Sequence, residues 1–154
     1  MYIPDSAPTS KDVAPGASLA GPGSATGLAV THETPETLPL VDAGVLAEME
    51  EQLDGSDLAL RFVRDYAAMW DQRCAKLAAA VDVQDMDAAL DAVISLKITS
   101  AMVGGLRLAR LAELLESVIR EGNFDHGQIL MKRVAEDGDQ TVSELQATYI
   151  LKNG

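Results

Sequence analysis

The sequence predicts an all-α protein, an antiparallel four-helix bundle with a short extra helix at its N-terminal end. From residue 40 onward, apolar residues recur at spacings of three and four, which is the period of an amphipathic helix. No stretch alternates between apolar and polar residues as a half-buried strand would. The helical segments are separated by short breaks, and helices joined by short loops pack as antiparallel neighbours.

A change in composition near residue 40 divides the chain. All 6 prolines lie within residues 1–39, mixed with Gly, Ser and Thr. A stretch of this kind has too few large apolar side chains to compensate for the entropy lost on ordering it. We therefore predict a flexible tail over residues 1–39 and a helical bundle domain over residues 40–154.

The first two helices follow from capping residues and an apolar stripe. Asp42 is placed to cap a short helix that ends near Leu53, and Ser56 or Asp57 caps a long helix to about Val81. The stripe of the long helix consists of Val63, Tyr66, Trp70, Cys74, Leu77 and Val81. This spacing predicts that Cys74 is buried and chemically inert.

The third helix starts at Asp85 or Asp87 and ends near Met102. Its inward face is formed by Ala89, Val93, Leu96, Ser100 and Val103. Gly104 and Gly105 follow, and two adjacent glycines readily supply the left-handed conformations of a tight turn between helices. This pair is therefore the predicted helix turn.

Two further helices complete the predicted bundle. The fourth extends to about Arg120, and the fifth runs from Asp125 to about Leu151, with Gly138 costing it about 1 kcal/mol. The inward residues are Leu108, Leu111, Leu115 and Val118 in the fourth helix, and Leu130, Val134, Thr141 and Leu145 in the fifth.

Charge and cysteine content limit the function classes. The chain has 24 acidic and 12 basic residues, a net charge of −12, which argues against nucleic acid or an anionic membrane as the main partner. One cysteine allows no intrachain disulfide and suits a reducing compartment. The sequence shows neither a secretory signal nor an apolar run long enough to span a membrane, so we expect a cytoplasmic protein.

The residues that enzymes require are sparse. The two histidines, His32 in the tail and His126 at a helix start, are too far apart in sequence to suggest a metal site. No phosphate-binding loop, dinucleotide-binding motif or nucleophile motif occurs. We predict no metal, no cofactor and no enzymatic activity.

The third helix and the turn after it resemble the signature of histidine phosphotransfer (HPt) domains, roughly A-H-x-L-K-G-S-x-x-x-[LVI]-G-[AG]. Residues 93–105, VISLKITSAMVGG, align with it without a gap and match at Leu96, Lys97, Val103, Gly104 and Gly105. The leucine-rich run that follows, which ends at Glu116, is similar to the next helix of the family. The resemblance covers about residues 40–150 and implies an HPt-like helical bundle.

Two departures from this signature affect the expected chemistry. The phospho-accepting histidine of the family falls on Ile94, and a small glycine four residues later falls on Ile98. In the family the imidazole takes a phosphoryl group from an aspartyl phosphate and later returns it, and isoleucine has no lone pair for this. Ser95 lacks a general base, so we do not expect it to replace the histidine.

Ile98 also fills the space that a glycine would leave for an approaching receiver domain. The resemblance thus implies a partner-docking face of Ile94, Ile98 and Ala101, bordered by Lys97. In one hypothesis, this pseudo-phosphotransfer domain binds a response-regulator receiver domain or a histidine kinase without carrying phosphate. In another, the same face mediates self-association as a homodimer or binds an unrelated protein. Phosphotransfer through an unusual acceptor, unrelated chemistry and a remnant without a role remain open.

Overall fold

The structure, a computed structural model, describes residues 34–153. The tail prediction for residues 1–33 and residue Gly154 lie outside the described residues. The helices are α1 (Ala43–Gln52), α2 (Ser56–Asp82), α3 (Met86–Met102), α4 (Leu106–Arg120), α5 (Phe124–Leu145) and α6 (Leu151–Asn153), with a π-helical turn at Gln146–Ile150 before α6. No strand occurs between residues 34 and 153, and the all-α prediction is confirmed.

The four long helices form an antiparallel bundle. Each of α2, α3, α4 and α5 packs on the next one along the chain, and α5 packs back on α2, while α1 packs on α2 and α3. The largest fully buried side chains are mainly aliphatic and come from all four: Val63, Leu77, Val81, Val93, Leu108, Leu111, Leu115, Ile119, Val134 and Leu145. Val118, predicted to face inward, is only half-buried because the adjacent Ile119 takes the core position.

The helix starts agree with the predictions in two cases and differ in two. The Asp42 carboxylate accepts hydrogen bonds from the α1 backbone, and Asp85, rather than Asp87, caps α3. Neither Ser56 nor Asp57 caps α2, because Ser56 is already its first residue and no side chain caps this helix. The cap of α5 is Asn123, since helical geometry starts at Phe124, before the predicted Asp125.

The packed domain begins earlier than residue 40. Pro35–Thr37 form a 3-10 turn, and Pro35 is buried. The Arg107 backbone N–H donates to the Pro39 carbonyl at 3.1 Å, and its Nε donates to the Leu38 carbonyl at 3.0 Å. These bonds attach residues 34–39 to α4, so this part of the predicted tail belongs to the domain.

Gly138 is required for the close packing of α2 against α5, whereas the sequence suggested only that it lowers the stability of the helix. A Cβ at this position would lie 1.9 Å from Cζ2 of Trp70, so α2 and α5 approach closely only because the side chain is absent. The Trp70 indole N–H donates to Oδ1 of Asp139 at 2.7 Å. The neighbouring glycine and aspartate therefore fix the position of the indole ring.

The end of α5 differs from the continuous helix predicted to Leu151. The backbone widens into the π-helical turn after Leu145, and Tyr149 in this turn is buried. Its hydroxyl donates to Oε2 of Glu50 on α1 at 2.5 Å. The C-terminal turn is thus connected to the first helix.

Candidate docking site on α3

The helix α3 lies between α2 and α4 and presents its remaining side to solvent. Its inward residues include Val93, Leu96 and Ser100, each buried as predicted. Behind them, Ser100 Oγ and Tyr66 Oη form a buried 2.6 Å hydrogen bond. Burial raises the pKa of Tyr66 to about 12, although the Ser100 hydrogen bond and the Arg73 charge act in the opposite direction.

The predicted docking residues differ in their exposure. Ile98 is 52% exposed, and Ala101 is also exposed, as expected for an outward-facing surface. Ile94 is only half-buried against the core, which corrects the expectation that it lies fully on the outer face. Ile94 is partly covered because it lies one turn before Lys97, on the edge of α3 that faces α4. Met102, 42% exposed, extends the apolar surface instead.

Lys97 is held by α4 and is not free at the border of this surface. Its Nζ donates to Oε1 of Glu116 at 2.7 Å, and Oε2 of the same carboxylate accepts from Arg120 at 2.8 Å. Burial raises the pKa of Glu116, but the hydrogen bonds and charges of Lys97 and Arg120 outweigh it, so the pKa is lower than usual. The charge of Lys97 is largely neutralised, and the side chain connects α3 to α4.

Ser95 is exposed beside Ile94 and lacks the groups that would activate it. Its hydroxyl is 3.5 Å from Nη1 of Arg73, a donor and not a base. Thr99 Oγ1 donates to the Ser95 backbone carbonyl at 2.8 Å and leaves the hydroxyl unaffected. Within the described residues no imidazole or carboxylate hydrogen-bonds to this hydroxyl, so the arrangement offers no general base.

The turn after α3 is attached to the start of α1. Gly104 has a positive φ of 81° and its carbonyl accepts from the Asp42 backbone N–H at 2.8 Å. Gly105 is not left-handed, with φ −78°, so the prediction of two left-handed glycines holds for one. Gly105 is needed for space, because a Cβ there would lie 3.1 Å from Cγ2 of Thr141.

The other candidate residues lie away from α3. Cys74 is half-buried and lines a groove between α2 and α5, where several of its neighbours are alanines, rather than lying in the core as predicted. Burial, followed by the charges of Asp139 and Asp71, raises the pKa of its thiol, which disfavours the thiolate. His126 is exposed in the first turn of α5.

Residues 34–153 contain neither a metal-binding cluster nor a membrane-spanning helix. No group of three or more His, Cys, Asp or Glu side chains in this range could hold a metal ion. No helix in the same range combines the length and apolar character needed to cross a membrane.

The comparisons with known proteins bear on the fold. The sequence matches no protein-family model, and no curated protein matches it. Among solved structures, histidine-containing phosphotransfer protein B from Pseudomonas aeruginosa PAO1 is similar, with a TM-score of 0.65 and 22% sequence identity. The match covers 71% of this chain and 93% of that one. The chain therefore has the fold of a solved histidine-containing phosphotransfer protein.

Proposed function

We propose that this protein is a degenerate member of the HPt family, a pseudo-phosphotransfer module of a two-component phosphorelay in the cytoplasm. It would bind a response-regulator receiver domain or a histidine kinase without carrying phosphate. The observation that carries the proposal is α3 itself. The Lys97–Glu116 link and the Gly104 turn are formed, while Ile94 and Ile98 stand where the resemblance expects the histidine and the glycine.

The local chemistry supports a role without phosphate. Ile94 has no lone pair and is half-buried, and the neighbouring Ser95 hydroxyl has an arginine rather than a base beside it. A phosphoryl group transferred from an aspartyl phosphate needs a nucleophile at the point of contact. The outer face of α3 offers an apolar contact surface, Ile98 with Ala101 and Met102, in its place.

Binding is tested by titrating the full chain against the receiver domains encoded in the same genome. We expect at least one to bind with Kd at or below about 100 µM. Ile98→Glu should abolish binding because it places a charge in the contact, whereas Ile129→Glu, at a 64% exposed position on α5, should not. Failure of every receiver domain, and of every histidine kinase of the same genome in the same titration, to bind would reject the proposal.

The absence of phosphotransfer is tested with a phosphorylated receiver domain carrying labelled phosphate. We expect no label on the wild-type chain, and label on the Ile94→His/Ile98→Gly variant, which restores the residues of the resemblance. A labelled wild-type chain would show that an unusual acceptor is active. A double variant that binds but stays unlabelled would show that the acceptor position is wrongly placed.

The second candidate is a protein-interaction or self-association module that uses the same face. The exposed side chains of Ile98 and Met102 favour it, since neither contributes to the core of a single chain. Single exposed apolar residues are common on protein surfaces, so this observation alone is weaker than the HPt-like arrangement of α3. Sedimentation at several concentrations distinguishes a homodimer from a monomer.

A further inference from the structure

A groove between α2 and α3 borders the proposed docking face and has a volume of about 410 Å³. Ser95 lines this groove and lies three residues before Ile98 on α3. A protein that covers Ile98 therefore also reaches the mouth of the groove. Its lining includes Met69, Arg73 and Lys76 from α2, and Asp91 and Ser95 from α3.

Two cations in this groove lack a carboxylate partner within the described part of the chain. Arg73 is half-buried, and its guanidinium contacts only neutral groups, Ser95 Oγ at 3.5 Å and Met69 Sδ at 4.0 Å. Lys76 lies one turn further along α2, is exposed and forms no ion pair among residues 34–153. Both contacts of Arg73 are at the long limit for hydrogen bonds.

Several other cations of the described residues also form no ion pair, but Arg73 is half-buried, whereas Arg61, Arg64 and Lys132 are exposed. A half-buried guanidinium loses part of its hydration, and a carboxylate is the group that best compensates for this loss. Asp91 also lines the groove, but one carboxylate opposite two cations leaves an excess positive charge. Lys97 cannot serve a partner in the same way, because Glu116 already holds it.

We infer that the groove receives an aspartate or glutamate side chain of the docking protein, which pairs with Arg73 and is further stabilised by Lys76. This inference rests on the proposed function, since the docking protein is the receiver domain that covers Ile98. The partner surface would therefore combine an apolar residue opposite Ile98 with a carboxylate beside it. The apolar contact supplies affinity, and the ion pair determines which receiver domains are accepted.

The test compares two double variants of the full chain that each remove two positive charges. Arg73→Gln/Lys76→Gln should bind the receiver domain about tenfold more weakly, with a flatter dependence on salt between about 50 mM and about 300 mM NaCl. Arg61→Gln/Lys132→Gln, which changes two exposed cations outside the groove, should bind as the wild type does. Unchanged urea midpoints for both variants would exclude an effect on folding.

The outcomes separate the two proposals. If the wild-type chain binds no receiver domain, the receiver-binding form of the proposed function fails and this inference fails with it. If Ile98→Glu abolishes binding but the two double variants bind equally well, the proposed function stands and the groove inference is overturned. A larger loss of binding for the groove variant would support the ion pair. A second test is charge exchange: Arg73→Glu should weaken binding, and replacing the partner carboxylate by an arginine should restore it.

Discussion

Ile94 and Ile98 lie on adjacent turns of α3, but they make different contributions to the protein. Ile98 is 52% exposed, so a polar replacement there changes the surface and costs the fold little. Ile94 is half-buried and packs against the core, so the same replacement would bring a charge into partly apolar surroundings. Ile98 is therefore the cleaner probe of docking, and a loss of binding in an Ile94→Glu variant would also reflect lost stability.

Gly138 should be the most sensitive glycine in the interior of a helix. In Gly138→Ala the new Cβ would lie 1.9 Å from Trp70 Cζ2, so the indole ring or α5 must move. We expect the free energy of unfolding to fall by about 3 kcal/mol, the upper end of the usual cost of overpacking. Urea denaturation followed by tryptophan fluorescence measures this, because Trp70 is the only tryptophan.

Gly127→Ala on the same helix is the matched control. A Cβ at Gly127 would meet its nearest neighbour, Cγ1 of Val81, at 3.6 Å, an ordinary van der Waals distance. Alanine also has the higher helix propensity, so this variant should be neutral or stabilised by up to about 1 kcal/mol. Equal destabilisation of both variants would contradict the close approach of Trp70 to α5.

At the scale of the elements, the sequence predicts most of the fold. Helix boundaries follow from local rules, since the apolar period and the capping side chains of Asp42 and Asp85 lie within a few residues of the structure they determine. Errors occur where two neighbouring residues can serve the same role, as with Ser56 at the start of α2. There Gly55, with a positive φ of 136°, is the residue before the helix, and Ser56 lies inside it.

Contacts between helices could not be predicted in this way. The approach of Arg73 to Ser95, the link from Lys97 to Glu116 and the fit of Trp70 over Gly138 depend on the register of two packed helices. Periodicity determines which face is buried but leaves the relative shift of neighbouring helices undetermined. For this reason the sequence could place Ile98 and Ala101 on the outer side of α3 but missed the α2–α3 groove and the half-burial of Ile94.

The turn from α3 to α4 should depend on its contact with α1. In Gly104→Ala, a residue at φ +81° would also bring a Cβ to 2.6 Å from the Asp42 carbonyl oxygen. Gly122→Ala is the control, because Gly122 has φ +75° and no atom within 4 Å of the added Cβ. We expect a loss of about 1 kcal/mol for Gly122→Ala from the left-handed conformation, and at least about 2 kcal/mol more for Gly104→Ala.

Urea denaturation of both variants measures the difference. The excess loss at Gly104 is the cost of displacing Asp42, which caps α1 and whose backbone N–H donates to the Gly104 carbonyl. Equal losses for the two variants would show that the turn can move away from α1 without cost. In that case α1 would not contribute to the position of the Gly104 turn.

At the scale of the whole molecule, the net charge of −12 opposes the approach of a second copy. The cations at Arg73 and Lys76 form a local exception beside Ile98, and they are placed to attract an acidic side chain of a different protein. The net negative charge also repels any acidic partner at long range. Such a partner is attracted only when it is close enough for its carboxylate to reach the cations of the groove. A second copy necessarily carries the full charge of −12, whereas a different protein need not, so charge favours a heterologous partner over a homodimer.

The last prediction follows from this balance. We expect sedimentation equilibrium to give the mass of a single chain up to about 200 µM, both at low salt and at about 0.5 M NaCl, where repulsion is screened. The α3 face exposes two large apolar side chains, Ile98 and Met102, and a stable interface usually buries about 800 Å² per partner, so a homodimer would need further contacts that overcome the charge repulsion. A mass that rises toward two chains in the wild type and in Ile129→Glu, but not in Ile98→Glu, would instead identify the α3 face as a homodimer interface. That result would favour the self-association hypothesis over the binding of a receiver domain.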